Sequence, residues 1–262
     1  MGEARNKKKR LLAAHPFCCF CGGSEPATTV DHIPARTCFP DRSGPDGFEF
    51  PACIKCQEAS RLDELAFGMF VRVNDPSDQN YRREEILKAY QGIKNNLPHL
   101  MPFVGISNRD KRRALRDKGL EKPLNFLVED IPLVGIPADI DPYVHRYARK
   151  LAAALYYREK GRPIGRDFVI WTHWAQAADK LQMNGLLEVA KMSPFVTIGR
   201  RTNLNFGDRF GYRCDKSDEN DLFTAIAQFG QGLIVTMLVA DGESAKELVG
   251  EEGWVTASLM FE

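Results

Sequence analysis

Two Cys-x-x-Cys pairs constrain this chain more than any other feature. Cys18 and Cys21 form the first pair, and Cys53 and Cys56 form the second. Each pair folds into a tight turn whose two thiolates point at one ion, so the four together predict a tetrahedral structural zinc site. Zinc there would join the first loop to the start of a helix and stabilise a segment that is too rich in glycine and proline to pack alone.

The other cysteines fit this interpretation. Six of the seven cysteines lie before residue 57, and Cys214 is alone. A disulfide framework is expected in a shorter secreted chain, so this distribution favours a metal site in a reducing compartment. Cys19 and Cys38 are predicted to be packed thiols, although Cys19 could replace Cys18 in a Cys-x-Cys arrangement.

The N-terminus does not resemble a secretory signal. Its basic residues are followed by a short apolar run, 11–14, before His15 and Pro16. A signal peptide needs a longer apolar region, and a membrane span needs about 20 apolar residues. We therefore expect a soluble, cytoplasmic protein that does not contact membranes.

Length and composition allow a substantial core. The chain has 262 residues, 44% of them hydrophobic, which suffices for one large domain or two small ones. The formal net charge is +1, so a nucleic-acid-binding surface must be local. Two stretches are locally basic: an N-terminal arm, expected to be partly disordered, and a helix from Ser107 to Gly119. Each is either a solvated surface or a contact for nucleic-acid phosphates.

The predicted fold class is α+β. We divide the chain into a basic N-terminal arm (1–16), a four-cysteine zinc unit (17–75), a helical connecting region (76–140) and an α+β C-terminal domain (141–262). Hydrophobic periodicity and turn residues predict helices at 55–73, 82–96, 107–119, 142–160 and 175–192, and a short helix at 243–249. Strands are predicted from residue 28, within 123–140 and at 168–174, 195–199, 209–215, 222–229 and 233–240.

The segment between the cysteine pairs carries an acid next to an imidazole, Asp31-His32. A Cys-x-x-Cys pair, a strand ending in Asp-His-Ile-Pro and a second pair opening a helix resemble the zinc-stapled, four-cysteine form of the HNH endonuclease family, over about residues 17–72. The resemblance implies a ββα-metal fold, a β-hairpin and a helix around one catalytic metal ion. It also implies that His32 is the general base that activates water and that Asp31 binds the ion.

This chemistry suits phosphodiester hydrolysis. A neutral imidazole can take a proton from water near neutral pH, and a divalent ion offsets charge on the phosphate and the leaving oxygen. A carboxylate suits a hard ion such as Mg²⁺ or Mn²⁺.

The chain departs from the family pattern at two positions. Phe48 stands where the asparagine in the middle of the HNH pattern is usual. Gln57 directly follows the second cysteine pair, where the last residue of the HNH pattern, His or Asn, is common. A Gln oxygen is a weak ligand, so Asp63 on the same helix is the preferred substitute, with Glu58 behind it. The predicted ligands of the catalytic metal are therefore Asp31, Asp63 and Gln57; the alternative for both helix acids is an exposed face.

The resemblance extends further along the chain. A bacterial group within this family combines the Asp-His-x-Pro strand with a later Asp-Glu pair and a Lys-x-Ala-x-x-Leu-Tyr-Tyr-like helix. Here these are Asp63-Glu64, and the helix containing 150–152 and 155–157. The C-terminal half is thus expected to belong to the same unit.

Three functions follow from these observations. The first is a metal-dependent endonuclease, acting on DNA in preference to RNA, with Arg36, Lys55 and Arg61 as phosphate contacts or as ordinary surface charges. The competing class is a degenerate zinc module that binds nucleic acid or protein. The third is an anti-phage or mobile-element effector that a regulatory protein partner or an infection signal activates.

Overall fold

The structure is a computed structural model and describes residues 2–39, 42–74, 83–101, 107–117, 127–128, 135–176, 184–185, 209–217, 221–242, 244 and 255–256. Its helices are α1 (Gly2–Ala14), α2 (Ile54–Ala59), α3 (Arg61–Asn74), α4 (Arg83–Asn96), α5 (Asn108–Asp117) and α6 (Asp141–Lys160). Its strands are β1 (Thr29–His32), β2 (Glu49–Ala52), β3 (Phe168–Gln176), β4 (Phe210–Lys216), β5 (Phe223–Phe229), β6 (Leu233–Asp241) and β7 (Val255–Thr256). Short 3-10 turns lie at Arg36–Cys38, Pro98–Leu100 and Ala138–Ile140.

A two-stranded antiparallel sheet carries the segment between the cysteine pairs. β1 pairs with β2, with Asp31 opposite Phe50 and His32 opposite Glu49. The chain then passes directly into α2, whose first turn is capped by the Cys53 Sγ atom accepting the Cys56 N–H. A hairpin and a helix therefore follow one another next to the cysteines.

The second sheet has five strands in the order β4-β5-β6-β3-β7, and every pairing in it is antiparallel. Its burial alternates along β4 and β5, as expected for strands with one face against a core. The predicted α+β class with an antiparallel C-terminal sheet is confirmed.

Helix α6 lies between the two parts of the molecule. It packs on α3 and on strands β3, β5 and β6, and ten of its side chains are buried. Tyr147 stacks on Phe67 of α3 with ring centroids 4.1 Å apart, and its hydroxyl accepts the Ala35 N–H at 2.7 Å. Gly161 ends the helix with a left-handed φ of 72°, which a glycine adopts without strain. One hydrophobic core consequently runs from Cys18 to Val239.

Several helix predictions agree with the structure to within a few residues. The helix expected at 55–73 is present as two helices that meet at Ser60. The helices expected from residues 82, 107 and 142 are α4, α5 and α6. The capping pair at the start of α5 is present as well, because the Ser107 hydroxyl accepts the Asp110 N–H.

The prediction of a partly disordered N-terminal arm is wrong for residues 2–14, which form α1. The segment is composed mainly of Ala, Leu, Lys and Arg, which favour helices. Leu11 and Leu12 are half-buried, and the Lys7 ammonium forms an ion pair with Glu49 of β2 at 2.6 Å. Contacts with the hairpin thus order a segment that its charge alone would leave in solvent.

The prediction of a helix from residue 175 is wrong at its start. Ala175 and Gln176 continue β3, because their main chains pair with Ile234 and Leu233 of β6. Of the rest of that predicted helix the structure describes residues 184–185, which are helical. The predicted strand at 195–199 and nearly all of the predicted helix at 243–249 lie outside the described residues, as does most of 123–140.

Candidate metal centre and the charge cluster beside it

The four predicted zinc ligands lie together. Ligand atoms from Cys18, Cys21, Cys53 and Cys56 are all within 4.8 Å of one another, and among the described residues this is the one such group of His, Cys, Asp and Glu side chains. A tetrahedral site with zinc–sulfur bonds of about 2.3 Å places its sulfurs roughly 3.8 Å apart. The cluster contains Cys18 and not its neighbour Cys19.

Local backbone geometry explains why the thiols meet. In each pair a main-chain N–H turns back to the first sulfur: Phe20 donates to Cys18 Sγ, and Cys56 donates to Cys53 Sγ, both at 3.4 Å. Gly22 continues the first turn with a φ of 64°. These are the tight turns that the Cys-x-x-Cys spacing predicts.

The chemistry of the four thiols fits a structural cation. Hydrogen bonding with Cys21 raises the pKa of Cys18 to about 11, while hydrogen bonding with Cys18 lowers the pKa of Cys21. Thiols that share protons in this way compete for the ionised state, and a cation removes the competition by stabilising all four as thiolates. The residues therefore fit zinc or a similar soft cation.

Cys19 and Cys38 are buried thiols outside this cluster. Burial raises the pKa of Cys38 to about 12 and holds that of Cys19 well above its usual range. Both are thus protonated at neutral pH and pack as small apolar groups.

Asp31 points into the molecule and meets a lysine from α6. The Lys150 ammonium donates to Asp31 Oδ2 at 2.5 Å, to Ser60 Oγ at 2.5 Å and to Glu64 Oε1 at 2.6 Å. The Lys150 side chain is 0% exposed and that of Asp31 is 7% exposed. The same ammonium lies 5.0 Å from the centre of the Phe20 ring. We call Asp31, Ser60, Glu64 and Lys150 the lysine cluster.

Charge pairing keeps the Lys150 ammonium protonated. Burial opposes the charge on Lys150, but Asp31 and Glu64 outweigh it and raise the pKa of the ammonium. Burial raises the pKa of the Glu64 carboxyl, against the attraction of Lys150. A buried ammonium is tolerated here because each of its three N–H groups has an acceptor.

Asp63 has its own cation on α6. Its Oδ1 atom accepts from Arg146 Nε at 2.9 Å and lies 2.8 Å from Arg146 Nη2. Asp63 is 5% exposed, so the alternative of an exposed helix face does not apply to it, whereas Glu58 is exposed. Gln57 is half-buried near the end of α2. Successive acids of α3 therefore bind two cations that lie one turn apart on α6.

His32 lies on the other face of the hairpin. Consecutive side chains of a strand point to opposite faces, and β1 buries Asp31 while leaving His32 half-exposed. Burial is the main cause of a lowered His32 pKa, and the positive charge of Arg36 adds to it. The imidazole is therefore neutral near pH 7. The structure thus brings Asp31 to Glu64 and Lys150, and not to the side chain of His32.

The predicted phosphate contacts are all at the surface. Arg36 and Arg61 are exposed, and Arg36 is close enough to influence the pKa of His32. The Lys55 ammonium, on a side chain 82% exposed, pairs with Glu25 at 3.1 Å. Arg36 and the α1 residue Lys7 are the cations next to the imidazole.

The predicted ligands of a catalytic divalent ion do not fit one in this arrangement. Asp31 Oδ1 accepts the His32 N–H at 2.9 Å, and Oδ2 is bound to Lys150. Asp63 is bound to Arg146. A divalent ion held by Asp31, Asp63 and Gln57 remains a prediction that this geometry does not support.

Sequence reasoning missed the roles of two residues. Lys150 was part of the extended resemblance, and Glu64 was half of the Asp-Glu pair, but nothing in the sequence showed that they bind each other or Asp31. A single lysine within the otherwise apolar run Lys150 to Leu155 was the available indication, because a buried charge needs a partner.

Comparisons with protein-family models, curated proteins and solved structures find no match to this chain. The likeness to HNH endonucleases therefore remains a resemblance based on residues. Among the described residues, no helix has the length and apolar character needed to cross a membrane.

Proposed function

We propose that this chain is an HNH-type endonuclease that hydrolyses phosphodiester bonds in nucleic acid, with DNA expected as the substrate rather than RNA. The observation that carries the proposal is the state of His32. Its imidazole is half-exposed on the hairpin next to the cysteine cluster, and its lowered pKa leaves it unprotonated near neutral pH. Such a group can accept a proton from water as the water attacks phosphorus.

The surroundings of His32 suit an anionic substrate. Arg36 is exposed next to the imidazole, and α1 presents Lys8, Lys9 and Arg10 to solvent close to the hairpin. A phosphodiester held by these cations would meet the base from the open side of the strand. The predicted ligands offer no site to the Mg²⁺ or Mn²⁺ that the resemblance implies, because Asp31 and Asp63 are bound to cations of α6.

A cleavage assay tests the proposal. Supercoiled plasmid is incubated with purified protein in Mg²⁺, Mn²⁺ or EDTA, using the wild type, His32→Ala and the control His99→Ala, which removes an exposed histidine of the Pro98–Leu100 turn. Loss of a general base lowers a rate by about 10²–10⁴-fold, so we expect His32→Ala to lose cleavage and His99→Ala to keep it. Equal cleavage by all three proteins would sink the mechanism, and so would cleavage by none.

The pH dependence supplies a second readout. Because burial lowers the His32 pKa below its usual 6.5, the base is lost only as the pH falls through that lower value. The cleavage rate should therefore stay level from pH 8 to pH 6.5 and decline below it. A rate that already falls between pH 8 and pH 7 would assign the proton transfer to another group.

A second candidate is a zinc module that binds nucleic acid or protein without catalysis. The pairing of Asp31 with Lys150 and of Asp63 with Arg146 favours it, because both predicted metal-binding carboxylates already have cations. Retention of labelled DNA by the wild type, without cleavage in Mg²⁺, Mn²⁺ or EDTA, would support this candidate against the first.

A further inference from the structure

Lys150 has the surroundings that proteins usually give to a bound metal ion. Its ammonium is fully buried, and its three donors reach two carboxylates and a hydroxyl at 2.5–2.6 Å. We propose that Lys150 is the resident cation of this site. It occupies the place between Asp31 and Glu64 that a divalent ion would need, and it positions the strand that carries His32.

The distances exclude joint occupancy. Mg²⁺ and Ca²⁺ lie about 2.0–2.6 Å from their oxygen ligands, and the Lys150 Nζ atom is 2.5 Å from Asp31 Oδ2 and 2.6 Å from Glu64 Oε1. An ion that used the same two oxygens would therefore overlap the ammonium or lie directly against it. Repulsion between cations at such a separation is strong wherever water is excluded.

The ammonium is held in place by the fold. Lys150 lies on a buried part of α6, because its neighbours three and four positions away, Tyr147, Ala153 and Ala154, are 0% exposed. The helix is packed on α3 and on the large sheet. Moving the ammonium away from the carboxylates would bury it without acceptors or displace α6, and both changes are costly.

The cluster also fixes the backbone of the proposed base. Asp31 Oδ2 binds Lys150, and Asp31 Oδ1 accepts the main-chain N–H of His32. The carboxylate thus connects the α6 lysine to the residue that carries the imidazole. Lys150 acts on His32 through Asp31 and is therefore a positioning residue. The proposal that Lys150 is the cation of this site does not depend on whether the chain hydrolyses phosphodiesters.

Paramagnetic NMR on the wild-type protein tests the proposal directly. Mn²⁺ is added to ¹⁵N-labelled protein whose cysteine site has been loaded with zinc, and the amide signals of Asp31, His32 and Glu64 are followed. We expect no selective broadening of these signals at Mn²⁺ concentrations up to the millimolar range. Selective broadening centred on them would overturn the proposal, because the ion would then share the site with Lys150.

Removing the ammonium should create the ion site that it now fills. We expect millimolar Mn²⁺ to raise the Tm of Lys150→Ala by several degrees, as a ligand that binds only the folded state does. Mn²⁺ should not change the Tm of the wild type or that of the double variant that combines Lys150→Ala with Glu64→Gln. Lys160→Ala is the matched control, because this lysine of the same helix donates to the Ser217 main-chain carbonyl at 2.8 Å and lies 3.9 Å from one carboxylate, that of Asp221.

A folded Lys150→Ala protein that gains no stability from Mn²⁺ would contradict the proposal. If that variant does not fold, the wild-type NMR experiment decides the question alone. Neither readout depends on cleavage, so an inactive wild type would sink the proposed function and leave this assignment standing.

Discussion

The cysteine cluster and the lysine cluster stabilise neighbouring parts of one hairpin in opposite ways. The cysteine cluster gathers four thiols from two short turns, and together they could hold a cation such as zinc taken from solution. The lysine cluster gathers two carboxylates and a hydroxyl around a cation that belongs to the chain. We therefore expect one half of the unit to depend on metal supply, whereas the other half depends on a helix that lies more than a hundred residues further along the chain.

The difference shows that one protein can stabilise groups of negatively charged side chains in two ways, with a metal ion or with a lysine of its own. Soft thiolates bind a soft ion strongly enough to order a local segment. Buried carboxylates would bind a hard ion more weakly, and an ammonium fixed by packing pairs with them at every ion concentration. We expect the lysine cluster to be insensitive to chelators that disrupt the cysteine cluster.

The largest effect should come from loss of a zinc ligand. Replacing the half-buried Cys21 by Ser, or removing zinc with a strong chelator, should take away a large part of the roughly 10–16 kcal/mol that structural zinc contributes in zinc-finger peptides. Elemental analysis should find one zinc per wild-type chain, and urea unfolding should give the loss of stability. The control Cys214→Ala, which removes a buried thiol of β4 outside the cysteine cluster, should still bind one zinc per chain. Zinc-free wild-type protein of unchanged stability would refute the four-cysteine site.

A smaller but still large effect should follow from Lys150→Met. Breaking a buried ion pair by removing one partner costs about 3–5 kcal/mol, because a buried charge is left without compensation. Adding Glu64→Gln should recover part of the loss. Arg146→Met should cost less, because the Arg146 side chain is 37% exposed and the charges of Arg149 and Lys150 also act on the buried Asp63 carboxyl. Equal losses for the two α6 variants in urea unfolding would contradict the distinction.

The Lys150→Met deficit should also depend on pH. Burial raises the pKa of Glu64 and the Lys150 ammonium opposes that rise, so without the ammonium the folded-state pKa of Glu64 lies further above its unfolded value. Stabilisation by a group with a raised pKa is present at low pH and is lost as the pH rises through that pKa. The difference from the wild type should therefore be larger at pH 8 than at pH 5.

The smallest effect is expected at the surface pair of Lys55 and Glu25. Lys55→Ala should leave stability unchanged, because its side chain is 82% exposed. If Lys55 contacts phosphates, the variant should bind DNA more weakly, and the slope of log affinity against log salt should decrease by about one. Unchanged DNA affinity would assign Lys55 to ordinary surface charge.

Features that depend on nearby residues could be predicted from the sequence. The cysteine spacing predicted the four thiols that lie together, and apolar periodicity predicted α4, α6 and strands β4 to β6 within a few residues. Alternation along β1 could also have shown that Asp31 and His32 face opposite sides of the hairpin. The expectation that the two side chains meet at one catalytic centre came from the resemblance to HNH endonucleases and not from strand geometry.

Features that depend on distant residues could not be predicted. Lys150 is separated from Asp31 by 119 positions, and one sequence does not reveal which acid a buried lysine meets. The order of α1 could not be predicted either, because it depends on contacts with the hairpin, such as the ion pair of Lys7 with Glu49, whereas its charges alone favour a solvated segment. The end of β3 was missed because pairing with β6, a tertiary effect, extends the strand past Trp174.

The distance along the chain between Asp31 and Lys150 has a consequence for biosynthesis. At about 5–20 residues per second, a ribosome adds the 119 intervening positions in roughly 6–24 s. During that time both cysteine pairs have been made, while Asp31 and Glu64 still lack their ammonium. We therefore expect the nascent hairpin to rely on zinc alone until α6 emerges, so a cell short of zinc would fail to fold this protein at its first step.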